Sequence, residues 1–183
     1  MSIDISALIN HEQQRQYLTF RVGDDPYGVA TRYVREILEF DQITLVPMMP
    51  SLVRGVINLR GAIVPIIDLA ERFGHGRTVL GARTCIVIVE ILEEEETHLI
   101  GALVDAVNAV VEIEPEAIRQ APAFGSRIRG EFIEDIARLD QQFLTLLRME
   151  QVLSISQIAD MAGHPCDISV LPCDARERVG ASK

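Results

Sequence analysis

Short apolar runs separated by turn-forming residues dominate the chain. Residues 17–22 alternate between apolar and polar positions, and residues 43–46 form a second short run that Pro47 closes. Residues 84–91 are an almost unbroken β-branched run, and residues 98–104 are the expected hairpin partner. Alternating and β-branched runs of this kind predict strands.

The same pattern continues toward the C-terminus. Residues 107–113 extend as a further strand, and Pro115 stands where a single helical turn is expected to begin. Residues 130–139 and 143–149 form another apolar pair around the polar residues 140–142, which predicts a second hairpin.

Four adjacent glutamates, residues 93–96, interrupt the first hairpin. Like charges at neighbouring positions repel one another, and a run of them is seldom packed. We therefore expect a solvated hairpin tip at this point rather than an ion site or a partner site.

Two segments have helical spacing instead. Residues 34–38 carry apolar side chains at the helical period after Thr31, a suitable N-cap, and predict a short helix. From Glu150 onward apolar residues mark one face of a second helix, which Gly163 and Pro165 are expected to end. Many short strands with helices only at the edges and the end predict a mostly β, barrel-like fold.

The most distinctive segment, residues 55–69, has β-branched apolar runs on both sides of a polar turn. Asn58 and Gly61 tolerate the backbone angles of a turn or bulge. The guanidinium of Arg60 is costly to bury unpaired, so we expect it to point outward with five donors in a rigid fork. Since the segment holds no nucleophile, base or phosphate cradle, it favours recognition by another protein.

Three further residues of this segment have expected structural roles. Gly55, like Gly61, flanks a strand rather than opening a helix, which argues against a phosphate-binding loop. Pro65 lacks an amide donor, so its strand should run along a sheet edge or break its ladder there. Asp68 ends the second apolar run and is expected to cap the turn that follows.

Composition and charge narrow the class of protein. The 183 residues are 48% hydrophobic and 24% charged, as in ordinary soluble globular proteins, which suits one domain or two closely packed subdomains. The formal net charge of −10 argues against nucleic acid or an anionic membrane surface as partner. Three unevenly spaced cysteines and the lack of a signal-peptide pattern favour a reducing cytoplasm.

Catalysis and cofactor binding have little support in the sequence. A protein kinase requires an internal lysine, yet Lys183 is the only lysine of the chain. His164, Cys166 and Cys173 are candidate ligands for a soft metal, but the spacing of the two cysteines is not that of a structural zinc site. Cys85 lies in a predicted strand and is expected to be a small buried hydrophobe. We expect no enzymatic activity, cofactor or metal.

Several motifs together resemble the CheW family of chemotaxis coupling proteins. Residues 54–74 carry the strongest resemblance, and residues 17–28, 34–44, 101–107 and 118–124 follow the family in order and spacing. Separate motifs that agree in register are far more specific than any one of them.

The resemblance implies a domain organisation and a fold. Residues 15–155 would form the CheW-like domain, residues 1–14 a flexible N-terminal segment, and residues 156–183 the end of a C-terminal helix and a loosely ordered tail. The implied fold is two interleaved five-stranded barrels of the SH3 type, with short helices and a shared hydrophobic junction.

The resemblance also implies a function. It implies a non-catalytic cytoplasmic adaptor, recruited to membrane-associated arrays, that couples the tips of methyl-accepting chemotaxis receptors to the regulatory domain of the histidine kinase CheA. In the family, the helical receptor tip binds a groove between the barrels. Matching motifs carry the lining of that groove over to Val34, Glu36, Arg60, Ile63, Cys85 and Val107.

Alternatives remain at this stage. Core packing explains Val34, Ile63 and Val107 equally well. For Arg60 the alternative is an exposed surface charge, and the functional interpretation is favoured. Cys85 stands where the family more often has a branched aliphatic residue. For the function, the alternatives are an adaptor of a non-motility chemosensory array and a β-barrel enzyme acting on a small molecule or metal.

Overall fold

The computed structural model describes residues 3–4, of which only the backbone is described, residues 16–122 and residues 127–161. The tail beyond residue 161, with the candidate metal ligands His164, Cys166 and Cys173, lies outside the described residues. Most of the described chain forms two antiparallel-rich β-sheets, which confirms the predicted fold class.

Each sheet has six strands. The first sheet contains β1 (Ile3–Asp4), β4 (Val34–Glu39), β5 (Val53–Leu59), β6 (Ala62–Asp68), β7 (Cys85–Glu93) and β8 (Glu96–Val104). The second contains β2 (Gln16–Val22), β3 (Asp25–Ala30), β9 (Ala106–Glu112), β10 (Ile118–Arg119), β11 (Ile133–Leu139) and β12 (Gln142–Leu147). The strand orders are β1-β4-β7-β8-β6-β5 and β10-β11-β12-β3-β2-β9.

The two sheets are interleaved along the chain, as expected. The chain enters the second sheet with β2 and β3, returns to the first for β4 to β8, and finishes in the second with β9 to β12. Five longer strands in each sheet match the predicted five-stranded units, and a two-residue strand is added at one edge of each. The first and second sheets are called the first and second barrel below.

Three apolar clusters of the described residues give each barrel its own interior and join the two. Ile86 and Ile88 of β7 lie inside the first barrel, whereas the alternate residues Val87 and Val89 lie in the largest cluster. This largest cluster, called the junction below, includes side chains of both barrels, such as Phe132. Alternation along β7 thus supplies one barrel interior and the junction from a single strand.

Three short helices complete the described fold: α1 (Leu69–Arg72), α2 (Met149–Val152) and α3 (Ile155–Met161). The single C-terminal helix expected from Glu150 is therefore two helices. Leu153 leaves the helical region, with φ of −110° and ψ of 24°. Ser154 then accepts a hydrogen bond from the amide of Gln157, which starts a new helix.

The helix predicted at residues 34–38 is wrong, because these residues form β4. A bulge between Val34 and Glu36 lets Val34 and Ile37 both pack at the junction, although they are three positions apart. The bulge therefore gives the apolar residues of a strand the spacing that is typical of a helix. Helical geometry is limited to the 3-10 turn Thr31–Tyr33 before it.

The strand predicted at residues 43–46 is reduced to one bridge. Thr44 exchanges two backbone hydrogen bonds with Val56 of β5, at 2.9 and 2.8 Å, while Leu45 is exposed. The other predicted strands and the helical turn at Pro115–Ala117 are confirmed, with β11 beginning later than expected, after a 3-10 turn at Gly130–Phe132.

Pro65 lies in an inner strand, not at a sheet edge. β6 is flanked by β5 and β8, and its parallel pairing with β8 begins at Ile66, opposite Gly101. The ladder with β5 continues through Pro65, which pairs with Val56, and the ladder with β8 starts one residue after it. The expectation of an edge strand or a broken ladder is therefore wrong, and the missing amide of Pro65 falls just before the β8 ladder begins.

Candidate functional site

The turn that displays Arg60 joins β5 to β6. Arg60 and Gly61 both have positive φ angles, of 50° and 89°, as the two central residues of a tight hairpin turn require. Asn58 was expected to share this strained geometry but lies in β5, where its side-chain oxygen accepts a hydrogen bond from the Gly61 amide at 2.9 Å. The arginine itself, rather than the asparagine, occupies the unfavourable backbone region.

Arg60 forms an ion pair with Glu36 of β4. Nη1 of Arg60 lies 3.2 Å from Oε1 of Glu36, and Nη2 lies 3.4 Å from Oε2. The Arg60 side chain is 71% exposed, whereas that of Glu36 is 5% exposed. A buried carboxylate thus holds a guanidinium that remains open to solvent, and the fork geometry of arginine suits this two-point contact.

A second pair of predicted residues, Cys85 and Val107, meets where the two barrels join. Both side chains are half-buried and pack against the junction cluster, one from β7 and one from β9. Burial raises the pKa of the Cys85 thiol; the Val107 backbone hydrogen bond opposes this rise, and the charge of Glu39 adds to it. Cys85 is therefore a half-buried thiol at the edge of the junction, where a small buried hydrophobe was expected.

The remaining two predicted residues are Val34 and Ile63. Val34 is 0% exposed within the junction, which favours the core-packing alternative for this residue. Ile63 is half-buried on β6, opposite Asn58 in the β5–β6 hairpin. The structure therefore brings together Glu36 with Arg60 and Cys85 with Val107.

Gly55 is required by a close approach of two chain segments. Its φ angle is 144°, and a Cβ atom at this position would lie 2.3 Å from the carbonyl oxygen of Thr44. Since Thr44 bridges to Val56 next to it, Gly55 lets the segment after β4 lie against β5.

Asp68 caps α1, as expected, and binds more of the chain than a cap alone. Its carboxylate accepts hydrogen bonds from the amides of Ala70 and Glu71, and from the amide and hydroxyl of Thr78 at 2.9 and 2.7 Å. It also forms an ion pair with Arg54 at 3.3 Å. Asp68 is 0% exposed, and these partners offset the free-energy cost of burying its carboxylate.

Arg72 was missed by the sequence interpretation, since the partners that hold its guanidinium lie far away in sequence. Its guanidinium donates to the carbonyl of Val152 at 2.8 Å and to the side chain of Gln157 at 2.8 Å, and lies 4.7 Å from the ring centroid of Phe132. Burial lowers its pKa, as does the nearby charge of Arg129, against the opposing charge of Glu131.

Glu93 was also missed, because the four glutamates were interpreted as one solvated tip. Glu94 and Glu95 do form an exposed turn, but the Glu93 carboxylate faces the start of α3. It accepts hydrogen bonds from the Ser154 and Ser156 hydroxyls at 2.8 and 2.7 Å. Serine and glutamate so far apart in sequence gave no signal of this contact.

The described residues do not present a catalytic or metal-binding arrangement. A groove of about 250 Å³ in the second barrel is flanked by Tyr27 and Phe143, with an Asp25–Arg127 ion pair at 3.4 Å. Burial and the charge of Asp25 raise the pKa of Tyr27 to about 12, against the opposing effect of Arg127, so this phenol is neutral at physiological pH. Within residues 16–122 and 127–161, no three His, Cys, Asp or Glu side chains are grouped to hold a metal ion.

No helix in the described part of the chain is long and apolar enough to cross a membrane.

Comparison with known proteins now decides the family. The sequence model of the CheW-like domain matches residues 16–157. The chain belongs to the CheW-like domain family. The chemotaxis protein CheW of Klebsiella aerogenes is 31% identical over 155 residues, which is 85% of this chain and 91% of that protein. A probable chemotaxis protein CheW of Rhizobium etli is 33% identical over 84% of this chain and 96% of that protein.

A solved structure agrees with these relatives. The crystal structure of the scaffolding protein TtCheW from Thermoanaerobacter tengcongensis has a TM-score of 0.70 to this chain at 32% identity. The match covers 77% of this chain and 93% of that one. Membership of the CheW-like family confirms the expected fold and the expected class, a non-catalytic chemotaxis adaptor rather than an enzyme.

Proposed function

We propose that this chain couples methyl-accepting chemotaxis receptors to the histidine kinase CheA, in the cytoplasm, at membrane-associated receptor arrays. Support comes from the CheW-like family and from relatives named as chemotaxis proteins. These relatives do not favour the alternative of an array with a non-motility output. The structural observation that carries the proposal is the accessible guanidinium of Arg60, held by the buried carboxylate of Glu36.

On the receptor side, Arg60 is a preorganised recognition group. The tight turn, the Asn58–Gly61 hydrogen bond and the ion pair with Glu36 all restrict where the guanidinium can lie. A side chain that is already ordered loses less entropy when it binds a partner. Arg60 can therefore orient a helical receptor tip by hydrogen bonding to polar groups on its surface.

Apolar contact to the receptor tip comes from half-buried side chains rather than from the core. Cys85 and Val107 meet at the junction edge, where a helix can cover what they leave exposed. Ile63 is half-buried beside the turn that carries Arg60. Val34, being fully buried, acts on this surface only by supporting β4 from behind.

On the kinase side, the resemblance to the CheW family implies that the CheA regulatory domain has the same double-barrel fold. Two chains of one fold can pair barrel to barrel, so one face of this adaptor remains for the kinase while another binds the receptor.

Reconstitution tests this function directly. Purified CheA, a receptor tip fragment and this protein are mixed, and autophosphorylation of CheA is measured with each component omitted in turn. We expect kinase activity to respond to the receptor fragment only when this protein is present. Receptor control of CheA that is the same without it would overturn the proposal.

The Arg60→Ala variant tests the receptor surface. We expect receptor-tip affinity to fall about 5- to 150-fold, corresponding to about 1–3 kcal/mol for an interface hot spot. Arg138→Ala is the matched control, because it removes an exposed arginine from β11 of the other barrel. Equal affinities of the Arg60 variant and the unmodified protein would remove Arg60 from the receptor site.

A further inference from the structure

We infer that residues 149–161, called the strap below, lock the two barrels in one relative orientation, and that Tyr33, Arg72 and Glu93 hold the strap in place. The strap comprises α2, the break at Leu153 and Ser154, and α3. The inference concerns the isolated protein and does not depend on the proposed function.

The strap leaves the second barrel and packs where the two barrels meet. It follows β12, the last described strand of the second barrel. Its apolar side chains Met149, Val152, Leu153 and Ile158 are buried in the junction cluster. The hydrophobic effect stabilises the packed strap but is not directional, so polar contacts must determine the exact position of the strap.

Arg72 provides the first of these contacts. It lies in α1, directly after β6 of the first barrel, and reaches the carbonyls of Gln151 and Val152 at 3.2 and 2.8 Å. These carbonyls belong to α2, which is too short to satisfy them by its own helical hydrogen bonds. The same guanidinium stacks on Phe132 of the second barrel, so one side chain contacts both barrels and the strap.

Glu93 provides the second contact, at the far end of β7. Besides the two serine hydroxyls, it accepts a hydrogen bond from the Ile155 amide at 2.8 Å and a longer one from the Ser156 amide at 3.4 Å. The carboxylate therefore satisfies the first amides of α3, which would otherwise lack partners. α3 is thus attached to the first barrel although it follows the second in sequence.

Tyr33 provides the third contact, at the start of the strap. Its hydroxyl donates a hydrogen bond to the Glu150 carboxylate and accepts one from Arg32 at 3.0 Å. Tyr33 lies on the segment that crosses from β3 of the second barrel to β4 of the first. Tyr33 contacts residue 150 of the strap, Arg72 contacts residues within 151–157, and Glu93 contacts residues 154–156. The three side chains lie on three separate elements.

This arrangement makes the strap a non-covalent crossing between the barrels, in addition to the covalent ones. The chain crosses covalently between β1 and β2, between β3 and β4, and between β8 and β9. Single-chain crossings of this kind leave room for the barrels to hinge across their shared junction. The strap follows the second barrel and is bound by polar contacts from Tyr33, Arg72 and Glu93, so it restricts hinge motion of the barrels. Loss of these contacts would allow that motion again.

The test compares Glu93→Ala with Glu96→Ala in the full chain. Glu93 and Glu96 are cross-strand partners at the end of the same hairpin. Each variant therefore removes one negative charge from the same place in the fold. Hydrogen exchange of the amides of residues 155–161 should become about tenfold faster in Glu93→Ala, because charge-assisted hydrogen bonds are lost. The Glu96 variant should match the unmodified protein. Equal exchange in both variants would overturn the role of Glu93.

Relative motion of the barrels is measured separately. Spin labels are placed through Ala62→Cys and Arg138→Cys, one exposed position on each barrel, after the three native cysteines have been replaced. The distance distribution should be narrow in this background and broaden when Glu93→Ala or Arg72→Lys is added. Lysine keeps the positive charge of Arg72, so this variant should retain the fold. It lacks the planar guanidinium that donates to several partners at once, so the contact with the strap should weaken. An unchanged distribution in both variants would show that the strap does not fix the barrels.

Discussion

The buried carboxylate of Glu36 holds the guanidinium of Arg60 across the open side of the first sheet. Glu36 lies in β4, near one end of the strand order, whereas Arg60 follows β5 at the other end. Their ion pair therefore connects opposite ends of a six-stranded sheet and helps to close it into a barrel. The same contact leaves Arg60 open to solvent, so the pair that helps to close the barrel is also the pair that we propose for receptor recognition.

A double-mutant cycle on this pair should give a small but measurable coupling. Arg60 is mostly exposed, so solvent screens the interaction, and we expect Arg60→Ala and Glu36→Gln to be coupled by about 0.5–1 kcal/mol in urea unfolding. As a control, Arg60→Ala combined with Glu96→Gln, on the β7–β8 hairpin, should be additive. A coupling indistinguishable from that control would mean that the ion pair does not form in solution.

Local patterning predicted most of the strands because each barrel strand alternates between two environments. β7 is the clearest example, since its neighbouring residues Ile86 and Val87 are buried in different clusters and its whole run is apolar. The prediction failed at residues 34–38, where the bulge at Arg35 changed the spacing of Val34 and Ile37. A bulge is specified by pairing with a distant strand, and the local pattern carries no record of it.

The candidate site was predictable only as far as its motifs reach. The turn motif marked Arg60 and Gly61, but the burial of Val34 depends on the junction between barrels that are far apart in sequence. Arg72 and Glu93 looked like ordinary surface charges for the same reason. Their partners lie some 60 to 85 residues away, in the strap. Long-range hydrogen bonds of this kind leave no periodic signal in the chain.

Gly55→Ala should destabilise the first barrel. A methyl group at this position would collide with the backbone of Thr44, and the φ angle of 144° is itself unfavourable for alanine. We expect a loss of about 2 kcal/mol or more in the free energy of unfolding, measured by urea denaturation. Gly81→Ala is the control, because no atom lies within 4 Å of a Cβ there, and it should change stability by less than about 0.5 kcal/mol. Similar losses in the two variants would contradict the close approach of Thr44.

Asp68→Ala should be among the most destabilising single substitutions in the chain. It would leave Arg54, Thr78 and the first amides of α1 without their buried acceptor, at a cost of about 3–5 kcal/mol. Asp24→Ala removes a carboxylate whose side chain is 98% exposed and should be nearly neutral. Thermal unfolding followed by circular dichroism distinguishes the two, and a small effect at Asp68 would show that its hydrogen bonds are not maintained in solution.

Acid should weaken the attachment of the strap through Glu93. Burial alone would raise the pKa of Glu93, but hydrogen bonds from the Ser154 and Ser156 hydroxyls and from the Ile155 and Ser156 amides together lower it. A carboxylate whose pKa is lower in the folded state stabilises that state above its unfolded pKa, about 4.3 for glutamate. This stabilisation is lost as the pH falls through the lower folded value.

The pH dependence can be isolated by comparing Glu93→Ala with the unmodified protein in urea unfolding from pH 7 to pH 3. Other carboxylates titrate in both proteins, so the difference between them reports on Glu93. We expect the variant to be less stable at pH 7 and the difference to shrink below about pH 4.3, where the glutamate of the unfolded chain takes up a proton before the folded Glu93 does. Glu96→Ala should show little difference at any pH, because the Glu96 side chain is 74% exposed. A difference for Glu93→Ala that stays constant or grows in acid would mean that the charged form of Glu93 does not bind the strap.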